Sequence, residues 1–240
     1  MTSIYLIRHG QASAGSANYD VLSPIGRHQA SVLGEYLQQT DLAFDAIYSG
    51  TLERQIDTAT IATGIDRSEL SQQQHFDEYN HKAIFERYLP RLAATDPEVD
   101  AAAQNGPNSL MSASVFTKLM LAWTNDANGT AAASDRATGS KQDFESWNSF
   151  KTRINDGIQQ IANQHDRSAS VAVFTSGGVI STLFHTIYNT TPQSTFEMNW
   201  SINNASLSHV KVTSGSLRLR EFNNISHLLL KNDKSLITQI

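Results

Sequence analysis

The sequence predicts a doubly wound α/β fold, in which a mostly parallel sheet flanked by helices carries a helical insertion and a C-terminal antiparallel hairpin. Three observations carry this expectation. Ile4 to Ile7 and Val171 to Phe174 are short unbroken apolar runs, the pattern of strands buried on both faces. Each run ends in polar residues and glycine, and apolar residues at helical spacing follow. From about Lys82 to Asp143 this alternation stops, and only helical patterns remain.

Taken in order, Ile4 to Ile7 is the first strand, and Gln11 to Asp20 is a surface loop rich in Ala, Ser and Gly. Ser23-Pro24 reads as an N-cap with proline at the first helical position, opening a helix to about Gln39. Phe44 to Tyr48 is a second strand. Thr51 is expected to cap the next helix, which ends at Gly64. Leu70 to Tyr79 is a connection. In the insertion, 82–143, Ile84 to Leu89 fit a helix stopped by Pro90, Asp96-Pro97 opens another that ends at Asn105-Gly106-Pro107, and Val115 to Trp123 mark a third. Asn125 to Lys141 is expected to be a mobile loop. Phe144 to Ile161 returns the chain to the core as a long helix, and Val179 to Ile187 follow the late strand as another. Leu207 to Val212 and Leu217 to Phe222 pair as a hairpin through Ser214-Gly215 at a sheet edge.

With 240 residues, 40% of them hydrophobic, the chain is read as one unit over 1–240 that buries its core without staples. The absence of cysteine excludes disulfides and thiolate chemistry. A net charge of -5 and a pI near 5.9 argue against nucleic-acid and anionic-membrane partners. No apolar run approaches the ~20 residues that span a bilayer, and no leader pattern precedes the first strand, so a cytoplasmic location is expected. Oligomeric state leaves no mark on the sequence.

Within an acidic protein, an anionic ligand needs a local cationic focus. Arg8 and His9 stand at the end of the first strand, where open α/β sheets bind ligands. Arg54 stands in the first turn of a helix, where a cation opposes the macrodipole by a few tenths to ~1 kcal/mol. That placement makes sense if Arg54 and the helix N–H groups converge on one anion. Ser176-Gly177-Gly178, between a strand and a helix, is a second such cradle. No His-x-x-x-His or similar spacing points to a metal.

With these pieces placed, the chain resembles the histidine phosphatase superfamily, the phosphoglycerate mutase-like proteins. The residues that carry the resemblance are Arg8-His9-Gly10, Leu22-Ser23-Pro24-Ile25-Gly26 with Gln29-Ala30, Tyr48 to Arg54 with Thr58-Ala59, and Val173 to Ile180. The resemblance implies that His9 attacks a phosphoryl group and becomes phosphohistidine, with Arg8 and Arg54 clamping the phosphate. It places the proton donor at Glu78, with Asp77 as the alternative acid. Ser176 and Gly177 become phosphate contacts. The implied ligands are a small phosphorylated substrate or inorganic phosphate, with neither cofactor nor metal.

Two departures stand out. Ala12 and Gly15 replace a hydroxyl and an asparagine found in many relatives, which weakens a mutase reading. Ser176 stands where the family has its second catalytic histidine, and a hydroxyl brings no positive charge. His81 and His227 are the candidates to compensate. A serine-hydrolase reading of Ser176 fails because a nucleophile elbow needs glycine where Phe174 stands. The expected function is therefore a metal-independent phosphomonoester phosphatase of reduced activity. The alternatives are a pseudo-phosphatase that binds a phosphorylated ligand without turnover and, less favoured, a phosphoglycerate mutase.

Overall fold

The computed structural model describes residues 1–13, 19–130, 144–213 and 216–239. Its strands are β1 (Thr2–Arg8), β2 (Ala46–Ser49), β3 (Ser71–Gln72), β4 (Ser170–Thr175), β5 (Leu207–Thr213) and β6 (Ser216–Asn224). They form one sheet in the order β3-β2-β4-β1-β5-β6. The β1–β4, β2–β4 and β2–β3 pairs are parallel, and the β1–β5 and β5–β6 pairs are antiparallel. The predicted α/β class and edge hairpin are therefore present, while the expected turn at Ser214-Gly215 lies outside the described residues.

Alternation along the central strands sorts the core onto two faces. Ile7, Ala172 and Phe174 pack against Leu33 and Leu37 of α1 (Pro24–Gln39) and Ile56 and Ala59 of α2 (Glu53–Thr63). Ile4, Leu6, Val171 and Val173 face the opposite way, into a larger core. That core is shared by α3 (His81–Ala93), α4 (Pro97–Gln104), α5 (Pro107–Leu110), α6 (Ala113–Asn125), α7 (Trp147–Gln164), α8 (Gly177–Tyr188) and α9 (Pro192–Ser201). A short α10 (Ser226–Leu229) packs Leu228 beneath α1. Each fully buried side chain of this size contributes about 1.5–3 kcal/mol relative to exposure.

The three helical patterns read between 82 and 143 appear as α3, α4 and α6, the single-turn α5 at the Pro107 break was not anticipated, and residues 131–143 of the expected loop lie outside the described residues. Pro90 does not stop α3, which runs on to Ala93. Standing in the last turn, the proline removes a single i→i−4 bond, and its own carbonyl still accepts from Ala94 N at 3.3 Å. Thr51 does not cap α2. Its backbone N–H and hydroxyl both go to Asp77, at 2.5 and 2.7 Å, and Leu52 is the N-cap without a side-chain bond. The sequence reading did not anticipate α9, because only Thr195 and Phe196 of its residues are buried and no apolar period marks it.

The segment after β1 is fixed by three side chains and one backbone N–H. Gly10 N donates to Thr58 Oγ1 at 3.0 Å, and Gln11 N donates to Gln29 Oε1 at 2.8 Å. The carbonyl of His9 accepts from Ala205 N at 3.1 Å and from Asn204 Nδ2 at 3.3 Å. A Cβ on Gly10 would stand 2.4 Å from the Gly26 carbonyl oxygen, so the loop can rest on α1 only because this residue is glycine. Gln29 is fully buried, and its Nε2 reaches on to the C-terminal segment, donating to Leu236 O and Thr238 Oγ1 at 2.8 and 2.9 Å.

Gln29→Leu would leave Gln11 N and Leu236 O without these partners. We expect a loss of about 1–3 kcal/mol, the cost of a buried unsatisfied group, read as a lower urea midpoint with unchanged slope. An unmoved midpoint would show that Gln29 does not hold these segments together.

Candidate active site

The end of β1, the start of α2 and the segment from Glu78 into α3 line a cavity of about 530 Å³. Arg8, His9, Arg54 and Glu78 all line it, so four of the six residues expected from the sequence come together. Ser176 and Gly177 do not line it. Ser176 is fully buried behind it, and its Oγ accepts from Gln55 Nε2 at 2.8 Å. Gly177 lies behind Arg8, where a Cβ would stand 3.5 Å from the guanidinium Nε.

The imidazole of His9 is held in one tautomer by its two neighbours. Nδ1 lies 2.7 Å from the Gly10 carbonyl, which can only accept, so Nδ1 carries the proton. Nε2 receives Arg54 Nε–H at 3.2 Å and so presents a lone pair to the cavity side of the ring. Burial, followed by the charges of Arg54 and Arg8, holds its pKa well below the usual histidine value. The ring is thus a neutral base with one nitrogen available, the form a nucleophile requires.

Arg8 donates through Nη1 to the Ile202 carbonyl, while its buried Nε has no partner among the described residues. Enclosure lowers the guanidinium to about 10, with Glu78 and nearby tyrosines opposing the shift and Arg54 adding to it. Arg54 is buried, and its Nη1 meets Asp20 Oδ1 at 2.6 Å. The other oxygen of Asp20 accepts the Glu53 N–H of the α2 N-terminus at 2.9 Å. Arg54 and the helix start therefore do converge on one anion, as the sequence suggested, and here that anion is the carboxylate of Asp20. The sequence reading missed this residue, which sits at the end of an Ala/Ser/Gly-rich loop with no local signal.

Glu78 turns toward the cavity and Asp77 does not. Glu78 accepts from Gly178 N at 3.0 Å and from Tyr79 N at 3.1 Å. Burial raises its pKa above the ordinary carboxyl value, against the pull of those N–H groups and both arginines. Gly178 is needed for this approach, since a Cβ there would lie 2.1 Å from Glu78 Oε1. Of the two candidate compensating histidines, His81 lines the cavity. His227 is buried against Tyr36, away from it. Burial and Lys82 lower the His81 pKa, so its ring is a neutral group at the cavity wall. Tyr79 and Asn199, absent from the sequence reading, also line the cavity and are joined by a 3.3 Å bond from Asn199 Nδ2 to the Tyr79 hydroxyl. No helix among the described residues is long and apolar enough to cross a membrane.

Asp20 competes for the charges that an oxyanion would use. Asp20→Asn should therefore tighten inorganic phosphate binding by roughly fivefold, about 1 kcal/mol, the upper range for a partly exposed ion pair. Titration calorimetry measures it, and weaker binding in the variant would mean that Asp20 positions Arg54 instead of competing with the ligand.

The sequence matches the profile of the histidine phosphatase superfamily (branch 1) over residues 4–117 and 116–225. No curated protein sequence matches the chain significantly. Solved structures share its fold. A phosphoserine phosphatase mutant from Entamoeba histolytica, in complex with phosphoserine, is 19% identical with a TM-score of 0.62, covering 95% of this chain and 100% of that one. A phosphoglycerate mutase from Bacillus anthracis is 20% identical with a TM-score of 0.62, covering 97% of each chain. A mycobacterial glucosyl-3-phosphoglycerate phosphatase with inorganic phosphate is 18% identical with a TM-score of 0.56, covering 94% of this chain and 98% of that one. The profile spans most of the sequence, and the chain belongs to the histidine phosphatase superfamily.

Proposed function

We propose that the protein is a phosphomonoester phosphatase working through a phosphohistidine on His9. The observation that carries this reading is the tautomer, with Nδ1–H held by Gly10 and Nε2 accepting from Arg54. The Nε2 lone pair forms an N–P bond while the bond from phosphorus to the ester oxygen breaks. Glu78, whose affinity for its proton burial raises, gives that proton to the oxygen. Water then attacks phosphorus, the N–P bond breaks, and the Glu78 carboxylate takes up the proton of the water.

Arg8 and Arg54 hold the phosphoryl oxygens and meet the charge spread over them in flight, so the reading needs neither metal nor cofactor. For this, Arg54 must release His9 Nε2 and turn its N–H groups to the phosphate. Ser176 and Gly177 act from behind: Gly177 backs Arg8, and Ser176 ties the end of β4 to Gln55. Because Ser176 brings no positive charge and its hydroxyl is taken up by Gln55, turnover should be slow. That same observation supports a second reading, a protein that binds a phosphorylated ligand without turning it over. A mutase is less favoured, since Ala12 replaces a hydroxyl found in many relatives. The acidic, cysteine-free sequence supports a cytoplasmic location and small phosphorylated ligands over nucleic acid.

Rapid quench with a ³²P-labelled aryl phosphate should trap acid-labile, base-stable label that His9→Ala lacks. Label on another residue would overturn the proposal, while phosphate binding with no label in the parent would favour the second reading.

The pH dependence has a definite sign. Activity requires His9 neutral, a condition met above its lowered pKa, and Glu78 protonated, a condition met below its raised pKa. The kcat/KM profile should therefore peak on the acid side of neutrality and fall as pH rises. The substrate's own second ionisation near pH ~6 adds to that limb, so the control is Glu78→Gln, which should flatten the enzyme's share of it. An unchanged alkaline limb in Glu78→Gln would remove Glu78 from the acid role.

A further inference from the structure

The cavity lining is chemically mixed. Beside the charged residues it includes Met111 at the end of α5, Phe116 of α6 and Trp200 of α9. Phe116 and Trp200 meet edge to face with ring centroids 5.1 Å apart, which fixes both rings. Met111 is 41% exposed, a flexible and polarizable side chain at the mouth of the cavity. About 530 Å³ is a volume that houses a whole small organic molecule rather than a phosphate alone.

The charges along the wall point the same way. The cationic lining residues are Arg8, Arg54 and Lys82, and the acidic ones are Asp20 and Glu78. A phosphoryl group engages both arginines, and Asp20 already neutralises part of Arg54. A second anionic group, such as the carboxylate of a glycerate, would meet only Lys82, which is exposed and strongly hydrated, and would share the cavity with two carboxyl groups. His81 offers it a neutral ring, because burial and Lys82 disfavour the imidazolium.

We infer that the alcohol half of the ligand is an uncharged, flat apolar group, of the size of a benzyl or naphthyl moiety, seated between Trp200, Phe116 and Met111. The inference rests on the phosphatase reading only for turnover, since the wall selects ligands whether or not the ester is cleaved. Helices α3, α5 and α6 then act as the element that shapes substrate choice, with α9 closing the wall.

The test compares kcat/KM for benzyl phosphate, ethyl phosphate and 3-phosphoglycerate. Both simple alcohols are poor leaving groups that need the same protonation, so their ratio reports recognition of the body of the substrate. Benzyl phosphate should exceed each of the others by roughly tenfold or more, the discrimination expected of an apolar pocket for added apolar bulk. Trp200→Ala and Met111→Ala should each narrow the benzyl-to-ethyl ratio, and Met111 is exposed enough that its change leaves the fold intact. In parallel, calorimetry with the uncleavable benzylphosphonate and methylphosphonate reads the same preference without chemistry. Tighter benzylphosphonate binding in a protein that cleaves none of the esters would support this inference and overturn the phosphatase reading alone. Equal binding of the two phosphonates, or a preference for 3-phosphoglycerate, would overturn the inference.

Discussion

Two guanidinium groups held beside one buried imidazole set the terms for everything else in this site. Arg8 and Arg54 flank His9 in surroundings that already lower the basicity of Arg8 and of the histidine itself. Gathering like charges out of water is unfavourable unless an anion joins them. Asp20 supplies part of that anion, and the Ile202 carbonyl and the His9 lone pair occupy further guanidinium N–H groups. A phosphoryl group can take over these interactions with better geometry, because its oxygens match both guanidinium forks. Burial, reinforced by the same charges, keeps the histidine neutral, so the arrangement that binds the substrate also prepares the nucleophile.

The scaffold holds this arrangement through backbone groups more than through direct contacts. Thr58 and Gln29 hold the N–H groups of Gly10 and Gln11, and Asn204 holds the His9 carbonyl. Gln55 links the start of α2, the Phe76 carbonyl before the acid loop, and Ser176 after β4. The Gly178 position lets Glu78 reach the start of α8, where the N–H of that glycine takes one of its oxygens. Met111, Phe116 and Trp200 line the same cavity, so under the proposed apolar recognition binding energy from the body of a substrate can be used to place its phosphate.

Much of this was legible in the sequence, for identifiable reasons. Strands buried on both faces read as apolar runs, so β1 and β4 and the residues at their ends could be located, and with them Arg8 and His9. Gln29 and Thr58 were part of the recognisable motifs, but their tasks, holding single backbone N–H groups, emerge only in three dimensions. Asp20, Gln55, Tyr79 and Trp200 were not legible, because each acts on a partner distant in sequence and none sits in a periodic pattern. Pro90 misled because a proline costs a helix little in its last turn, and Thr51 because Asp77, across the site, captures both of its polar groups. Ser176 was read as lying between a strand and a helix, where it stands before α8, yet its hydroxyl is tied up by Gln55 instead of facing the ligand cavity.

The central claim is that the protein holds His9 neutral, with the proton on Nδ1 and an unprotonated Nε2 accepting from Arg54. Long-range ¹H–¹⁵N correlation spectroscopy of the ¹⁵N-histidine-labelled protein, with His9→Asn to assign the signal, reads this state directly. The account predicts a protonated, pyrrole-like Nδ1 and an unprotonated Nε2 that persist unchanged from neutral pH down past the ordinary histidine range. An imidazolium at pH 6, or the proton on Nε2, would contradict it.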